Sequence, residues 1–156
     1  YIDPKIQATY ARRLASARQQ SLAAQAFGKK LNAKFMSLVP LMQAAGVPLL
    51  AGSDSGPFNS FIYPGASLQG ELEMLVQAGL TPLQALQAAT INGAKFMGVA
   101  GRTGTIAPGK DADLLLLTGN PLEDITNIRK IDAVISRGKA YPAPALANLR
   151  RSIRNR

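Results

Sequence analysis

The apolar positions of the first fifty residues repeat at helical spacing and then stop doing so. Residues 4–27 are rich in Ala, Gln, Arg and Leu and read as helix. The next stretch, "GKKLNAKFMSLVPLMQAA" over 28–45, places Leu31, Phe35, Leu38, Leu41 and Met42 three and four residues apart, which is one face of a second helix. Pro40 lies inside that run and is expected to kink or split it, since its ring removes one backbone donor and crowds the preceding turn. Gly46 ends the helix. The apolar run "VPLLAGS" follows and reads as a short buried strand. A helix joined to a strand through one glycine is the kind of unit from which α/β folds are assembled.

Residues 57–66 carry two prolines and a glycine and read as a loop. Ser67 is placed to cap a helix running to Gly79. "TPLQ" then starts another: Thr81 caps, Pro82 takes the first helical position and Gln84 completes a capping box. That helix is expected to continue through "ALQAATINGAKFMG". From Gly101 onward the helical period is replaced by short apolar runs broken at turns, so a module boundary falls near 99–102. Pro108-Gly109 is expected to turn between two strands. Leu114–Leu117, apolar at every position, is expected to be a strand buried on both faces. Asn120-Pro121 is a break, Ile131–Ser136 a strand, and Arg137-Gly138 a tight turn into 139–141. The last fifteen residues read as an extended or frayed basic end.

Composition narrows the class. A chain of 156 residues that is 47% hydrophobic and 17% charged can bury a core and is not a disordered tract. No apolar run approaches the roughly 18 residues of a membrane span. The first residue is Tyr1 rather than Met, so the chain is expected not to be a complete translation product, and the lack of a leader says nothing about compartment. Cysteine is absent, which excludes disulfides and thiolate metal sites. Histidine is absent too, which removes the commonest general base and metal ligand. Net charge is +9, concentrated in Lys5, Arg12, Arg13, Arg18, Lys29, Lys30 and Lys34 and in the tail "NLRRSIRNR". Such charge suits nucleic acid or anionic lipid, but no aromatic or glycine-rich RNA motif is interleaved with it, and a solvated helix face explains it as well.

One acid remains to be explained. Asp54 stands at the end of the apolar run in "VPLLAGSDSG", where it either caps the following loop through its own backbone or serves as a site residue. Asp111 and Asp113 in "GKDADLL" could pass for a carboxylate pair on one face of a strand, and Glu71 and Glu73 lie on the helix after the loop.

Three separated motifs, "AGVPLLAGSDSG", "SLQGELEMLVQAGLTPLQALQAATINGAKFMG" and "GTIAPGKDADLLLLTGNPLEDI" with "IDAVISRGKAY", occur in an order and spacing that resemble the C-terminal part of the metal-dependent amidohydrolase superfamily. The likeness covers roughly 28–141 and is nearest the imidazolonepropionase-like and dipeptidase-like branch. It implies an α/β fold: the C-terminal portion of a (β/α)8 TIM-like barrel, its last strand and helices in 1–100, then strands of a small β-sandwich in 101–141, with 142–156 a basic tail. Side chains at the C-terminal ends of barrel strands point into the active site. The resemblance accordingly gives Asp54 the place of metal ligand and proton shuttle. It implies hydrolysis of a C–N bond in an amide, cyclic amide or dipeptide by metal-activated water, with a divalent metal, zinc, as cofactor.

The same resemblance assigns Asp111, Asp113 and the "TGNPLEDI" turn to structure. Glu71 and Glu73 sit on the helix after the loop, where a solvated face is the expected reading and a place for Glu71 near the barrel mouth the alternative. Gln69 is a departure, because close relatives often carry His there, and it puts any role in substrate handling at that position in doubt. Phe58, Phe61 and Tyr63 either line an apolar pocket or pack the loop onto the barrel. The family's other metal ligands lie upstream of anything in this chain, so the chain alone is expected to be inactive and to hold no metal tightly. Its expected partners are a small-molecule substrate with an amide-type bond and the remaining N-terminal part of the barrel; a homo-oligomer is left open, and neither nucleic acid nor membrane is expected. The competing readings are a stand-alone, non-catalytic association module and, with charge as its only support, a basic nucleic-acid- or membrane-surface-binding protein.

Overall fold

The computed structural model describes residues 4–56 and 61–154. Two helices open the chain, α1 (Pro4–Arg18) and α2 (Leu22–Ala44). They divide at 19–21 rather than at Gly28, because Ser21 caps α2: its Oγ accepts the Ala24 amide at 3.2 Å. Pro40 does not split α2. The helical bonding resumes beyond it, with the Ala45 amide on the Leu41 carbonyl at 2.9 Å, and Gly46 ends the helix at φ +75°.

Residues 47–53 are extended but form no strand ladder among the described residues. The expected buried strand is therefore corrected: Val47 is 40% and Leu50 46% exposed. A ladder needs a neighbouring strand, and here the stretch lies instead against helices. The Ala51 amide donates to the Ala88 carbonyl at 3.0 Å, and Asn92 Nδ2 donates to the Leu49 carbonyl at 3.0 Å.

Those helices are α3 (Ala66–Gln77), α4 (Pro82–Ala88) and α5 (Ile91–Phe96). Gly65 rather than Ser67 is the N-cap of α3, and Ser67 Oγ accepts the Tyr63 amide at 2.8 Å just ahead of it. The capping box of α4 is present in both halves, Gln84 amide to Thr81 Oγ1 and Thr81 amide to Gln84 Oε1. The single long helix expected after Thr81 is broken at Ala89-Thr90, where Thr90 leaves helical geometry (φ −130°, ψ −93°). Its hydroxyl donates to the Leu86 carbonyl at 2.7 Å, closing off α4.

The core forms where α3 and α4 meet a 3-10 helix at Ile125–Arg129. Leu72, Leu75, Leu80, Ala85 and Ala88 pack with Ile125 and Ile128, so it draws on both sides of the 99–102 boundary. Each buried side chain of this cluster stabilises the fold by burial at roughly 25 cal/mol per Å² of apolar surface.

The sheet is three-stranded and antiparallel in the order β1 (Leu114–Leu117), β2 (Ile131–Ser136), β3 (Lys139–Pro142). Arg137 and Gly138, at φ +50° and +76°, form the two-residue turn between β2 and β3 that matches strand twist. Residues 104–107 are not a strand, so the turn at Pro108-Gly109 has no strand before it. β1 is an edge strand, not buried on both faces: Leu115 is 56% and Leu116 49% exposed. The "GNP" break is held by Asn120, whose Oδ1 accepts the Leu122 amide at 3.0 Å while its carbonyl takes Asn127 Nδ2 at 2.8 Å.

The chain end is a helix rather than an extended tail. α6 (Ala143–Arg154) is rich in Ala, Leu and Arg, good helix formers, with Pro144 in its tolerant first turn, and it lies against β2 and β3. The architecture is thus mixed α/β: a helical layer joined through a shared core to a small sheet.

Candidate functional site

Asp54 ends the extended stretch with its backbone in the left-handed region, φ +49°. Asp visits this region more readily than other non-glycine residues, because its short polar side chain bonds locally. The residue is exposed. Its half-buried neighbours meet beside it, Ser53 Oγ and Ser55 Oγ sharing a hydrogen bond of 2.8 Å. The helices behind Asp54 hold the stretch at two points, through Ala51 to α4 and through Asn92 of α5 to Leu49. Sequence reading did not single out Asn92; a polar residue two positions into a short helix carries no signal until its partner, 43 residues away, is known.

Phe58 lies outside the described residues. Phe61 and Tyr63 both pack against the buried ring of Tyr10 on α1, with centroids 5.0 Å and 6.3 Å away. Phe61 does so at φ +64°, a strained geometry for an aromatic residue. The described part of the loop after Asp54 is thus tied to the first helix. A cavity of about 460 Å³ lies beside the start of the extended stretch, lined by Val47, Pro48, Leu50, Gln87, Lys95 and Phe96 among others; Asp54 is not in its lining.

The other acids separate. Asp111 pairs with Arg102 at 2.8 Å, and Asp113 Oδ1 accepts the Arg137 amide at 2.7 Å, so each holds a turn, as expected of them. Glu73 pairs with Arg129, which crosses from the 3-10 helix to α3. Gln69 joins the same contact: its Nε2 donates to the Ile128 carbonyl at 3.4 Å, and Arg129 Nη1 donates to its Oε1 at 3.5 Å. Glu71 corrects the expectation of a solvated face. It is half-buried on α3, and desolvation pushes its carboxyl above the usual carboxylate range. Asp124, unremarked in the sequence, caps the 3-10 helix, and its bond from the Thr126 amide holds its carboxyl below the usual range.

Among the described residues no group of three or more His, Cys, Asp or Glu side chains converges to hold a metal ion. Asp54 is one oxygen donor, whereas a zinc site takes three or four protein ligands. Asp54 would need ligands from outside the described residues to complete such a site. No helix among the described residues is long and apolar enough to cross a membrane.

The chain is similar to enzymes of known type. It is 34% identical over 116 residues to ochratoxinase of Aspergillus niger, a match covering 71% of this chain and 23% of that protein. It is 40% identical over 73 residues to imidazolonepropionase of Geobacillus kaustophilus, covering 46% of this chain and 16% of the relative. The crystal structure of a Xaa-Pro dipeptidase with methionine in its active site superimposes with a TM-score of 0.50 at 33% identity, over 56% of this chain and 21% of that one. The chain thus spans about a quarter or less of the length of these relatives. The amidohydrolase family profile matches residues 6–141, most of the chain. From the first turn of α1 into β3, then, this chain belongs to the amidohydrolase family.

Proposed function

We propose that this chain is the C-terminal part of a metal-dependent hydrolase that cleaves C–N bonds in amides, cyclic amides or dipeptides, and that Asp54 is its metal ligand and proton shuttle. One observation carries the reading: the family match runs through an extended stretch that ends on an exposed Asp with its backbone in the left-handed region. In this reading 47–53 is the last strand of a (β/α)8 barrel and 114–142 belongs to a β-sandwich completed by chain from outside this sequence. The open edge of β1 and the apolar side chains exposed on α2 support a partner of that kind.

A divalent metal, zinc being the one expected, supplies a water whose pKa is lowered to near 7. The part played by this chain is at one carboxylate. An oxygen of Asp54 takes up a proton as the nucleophile forms and returns it to the leaving nitrogen, so the carboxylate is regenerated each turnover. The exposure of Asp54 supports its taking part in that exchange.

The test compares the 156-residue chain with a protein in which it is joined to the upstream part of the domain. Zinc content after dialysis and hydrolysis of N-acyl amino acids, dipeptides and cyclic amides are measured on both. The proposal expects zinc and turnover in the joined protein and neither in the chain alone. Stoichiometric zinc in the chain alone, or no hydrolysis of any substrate by the joined protein, overturns it. A stand-alone association module is the second reading, favoured by the exposed apolar face of α2, and it predicts a stable oligomer of the chain with no gain on adding upstream sequence.

A further inference from the structure

The stretch that ends on Asp54 has no strand beside it among the described residues, yet two hydrogen bonds grip it three and five residues before the carboxylate. The Ala51 amide is held by the last carbonyl of α4, and the Leu49 carbonyl is held by the side-chain amide of Asn92 on α5. In an extended chain the Leu49 carbonyl and the Ala51 amide face the same edge. Ala88 and Asn92 therefore present to that edge an acceptor and a donor, the pair a neighbouring strand would present. Ala88 can offer its carbonyl from any side chain. The donor comes from a side chain, Asn92 Nδ2 at 3.0 Å from the Leu49 carbonyl. Asn92 is half-buried and supplies it.

We infer that Asn92 is a positioning residue for Asp54: its Nδ2–H fixes the depth and register at which the stretch reaches that residue. This rests on Asp54 being the catalytic carboxylate. On either side of the exposed Asp54, Ser53 and Ser55 are half-buried and share a hydrogen bond between their hydroxyls. Register set at Leu49 and Ala51 is passed through Gly52 and Ser53 to the carboxylate. Asn92→Asp keeps the shape but loses the donor and sets an anionic oxygen against the Leu49 carbonyl, so the bond becomes a repulsion.

The test uses Asn92→Asp and Asn92→Ala. In the 156-residue chain, hydrogen exchange of the Ala51 amide is expected to quicken roughly fivefold to tenfold in both, the effect of losing one supporting hydrogen bond. The Ala85 amide, bonded to Thr81 within α4, serves as internal control and is expected to stay unchanged. In the joined hydrolase, kcat is expected to fall about 10²-fold with KM within about twofold, the mark of a misplaced reacting group rather than of lost substrate binding. Should Asn92→Asp fail to fold, Asn92→Ala, which buries no charge, carries the same comparison. Wild-type exchange at Ala51 in both variants, or unchanged kcat in an otherwise active hydrolase, overturns the inference while leaving the function standing. A wild-type joined protein that hydrolyses nothing sinks the functional reading instead, and Ala51 exchange still decides whether Asn92 holds the stretch.

Discussion

α2 and α3 both carry apolar residues three and four positions apart, but only one of them is covered. On α3, Leu72 and Leu75 are buried against α4 and the 3-10 helix Ile125–Arg129. On α2, about twice as long, no residue is buried, and Phe27, Leu31, Phe35, Leu38, Leu41 and Met42 are all exposed. Periodicity tells a helix which face is apolar; it does not supply the surface that covers that face. The described chain thus covers α3 with its own residues and leaves the apolar face of α2 open. The covered region surrounds the stretch leading to Asp54, and the uncovered one supports the proposed barrel partner.

The contrast can be broken most severely in the core. Leu75→Ala is expected to cost about 2–4 kcal/mol in urea unfolding of the chain, as buried leucines do. Phe35→Ala on α2 is expected to stay within about 0.5 kcal/mol, as exposed substitutions do. Equal losses would show that α2 is covered in solution and remove the distinction. In the proposed joined protein the cost at Phe35 is expected to rise and that at Leu75 to stay as it was.

A smaller effect is expected at Gly104, which closes the loop beneath α5 at φ +88°. A Cβ there would meet Ala94 Cβ at 2.7 Å and the Ile91 backbone at 3.0 Å. Gly104→Ala therefore combines backbone strain with a clash that no side-chain rotation relieves, and about 1–3 kcal/mol of destabilisation is expected from thermal or urea melts. A neutral result would mean that α5 and the following loop shift apart easily.

The smallest effect is at Glu71 and is read against pH. Burial raises its carboxyl above the value in the unfolded chain, so the folded state binds the proton more tightly. The charged form therefore costs stability at all pH above the folded value. That cost fades as pH falls toward the ordinary pKa and is gone below it. Glu71→Gln is expected to be slightly more stable than wild type near neutral pH and equal to it in acid below the ordinary carboxylate range. A difference that grows in acid would show that Glu71 is held by a partner in its charged form, and one that stays constant with pH would show that its charge is not the cause.

Much of this is legible in the residues. The capping box of α4, the Arg137-Gly138 turn and the strand at Ile131–Ser136 are local features, set by side chains a few positions apart, and they stand where their chemistry puts them. What the residues do not disclose depends on distant partners. Leu114–Leu117 reads as buried on both faces because an apolar run does not say that its strand lies on an edge. Residues 47–53 read as a strand and are extended, but the ladder that defines one needs another chain segment. The terminal helix is masked by its charge, which suggests a frayed end although its composition favours helix. Of the candidate site, Asp54 is visible from its place after an apolar run and from the motifs around it. Its supports are not: Asn92, and the Tyr10 ring under the following loop, act through contacts that only the folded chain brings together.

The most direct test of the account is the rate of amide hydrolysis by the joined domain with Asp54 and with Asp54→Asn, measured beside zinc content. The account predicts a loss in kcat of about 10²-fold or more, the size expected when a positioned proton-transfer group is removed, together with a folded protein of unchanged melting behaviour. Hydrolysis at the wild-type rate by the Asp54→Asn protein would contradict it and return Asp54 to the role of a loop cap.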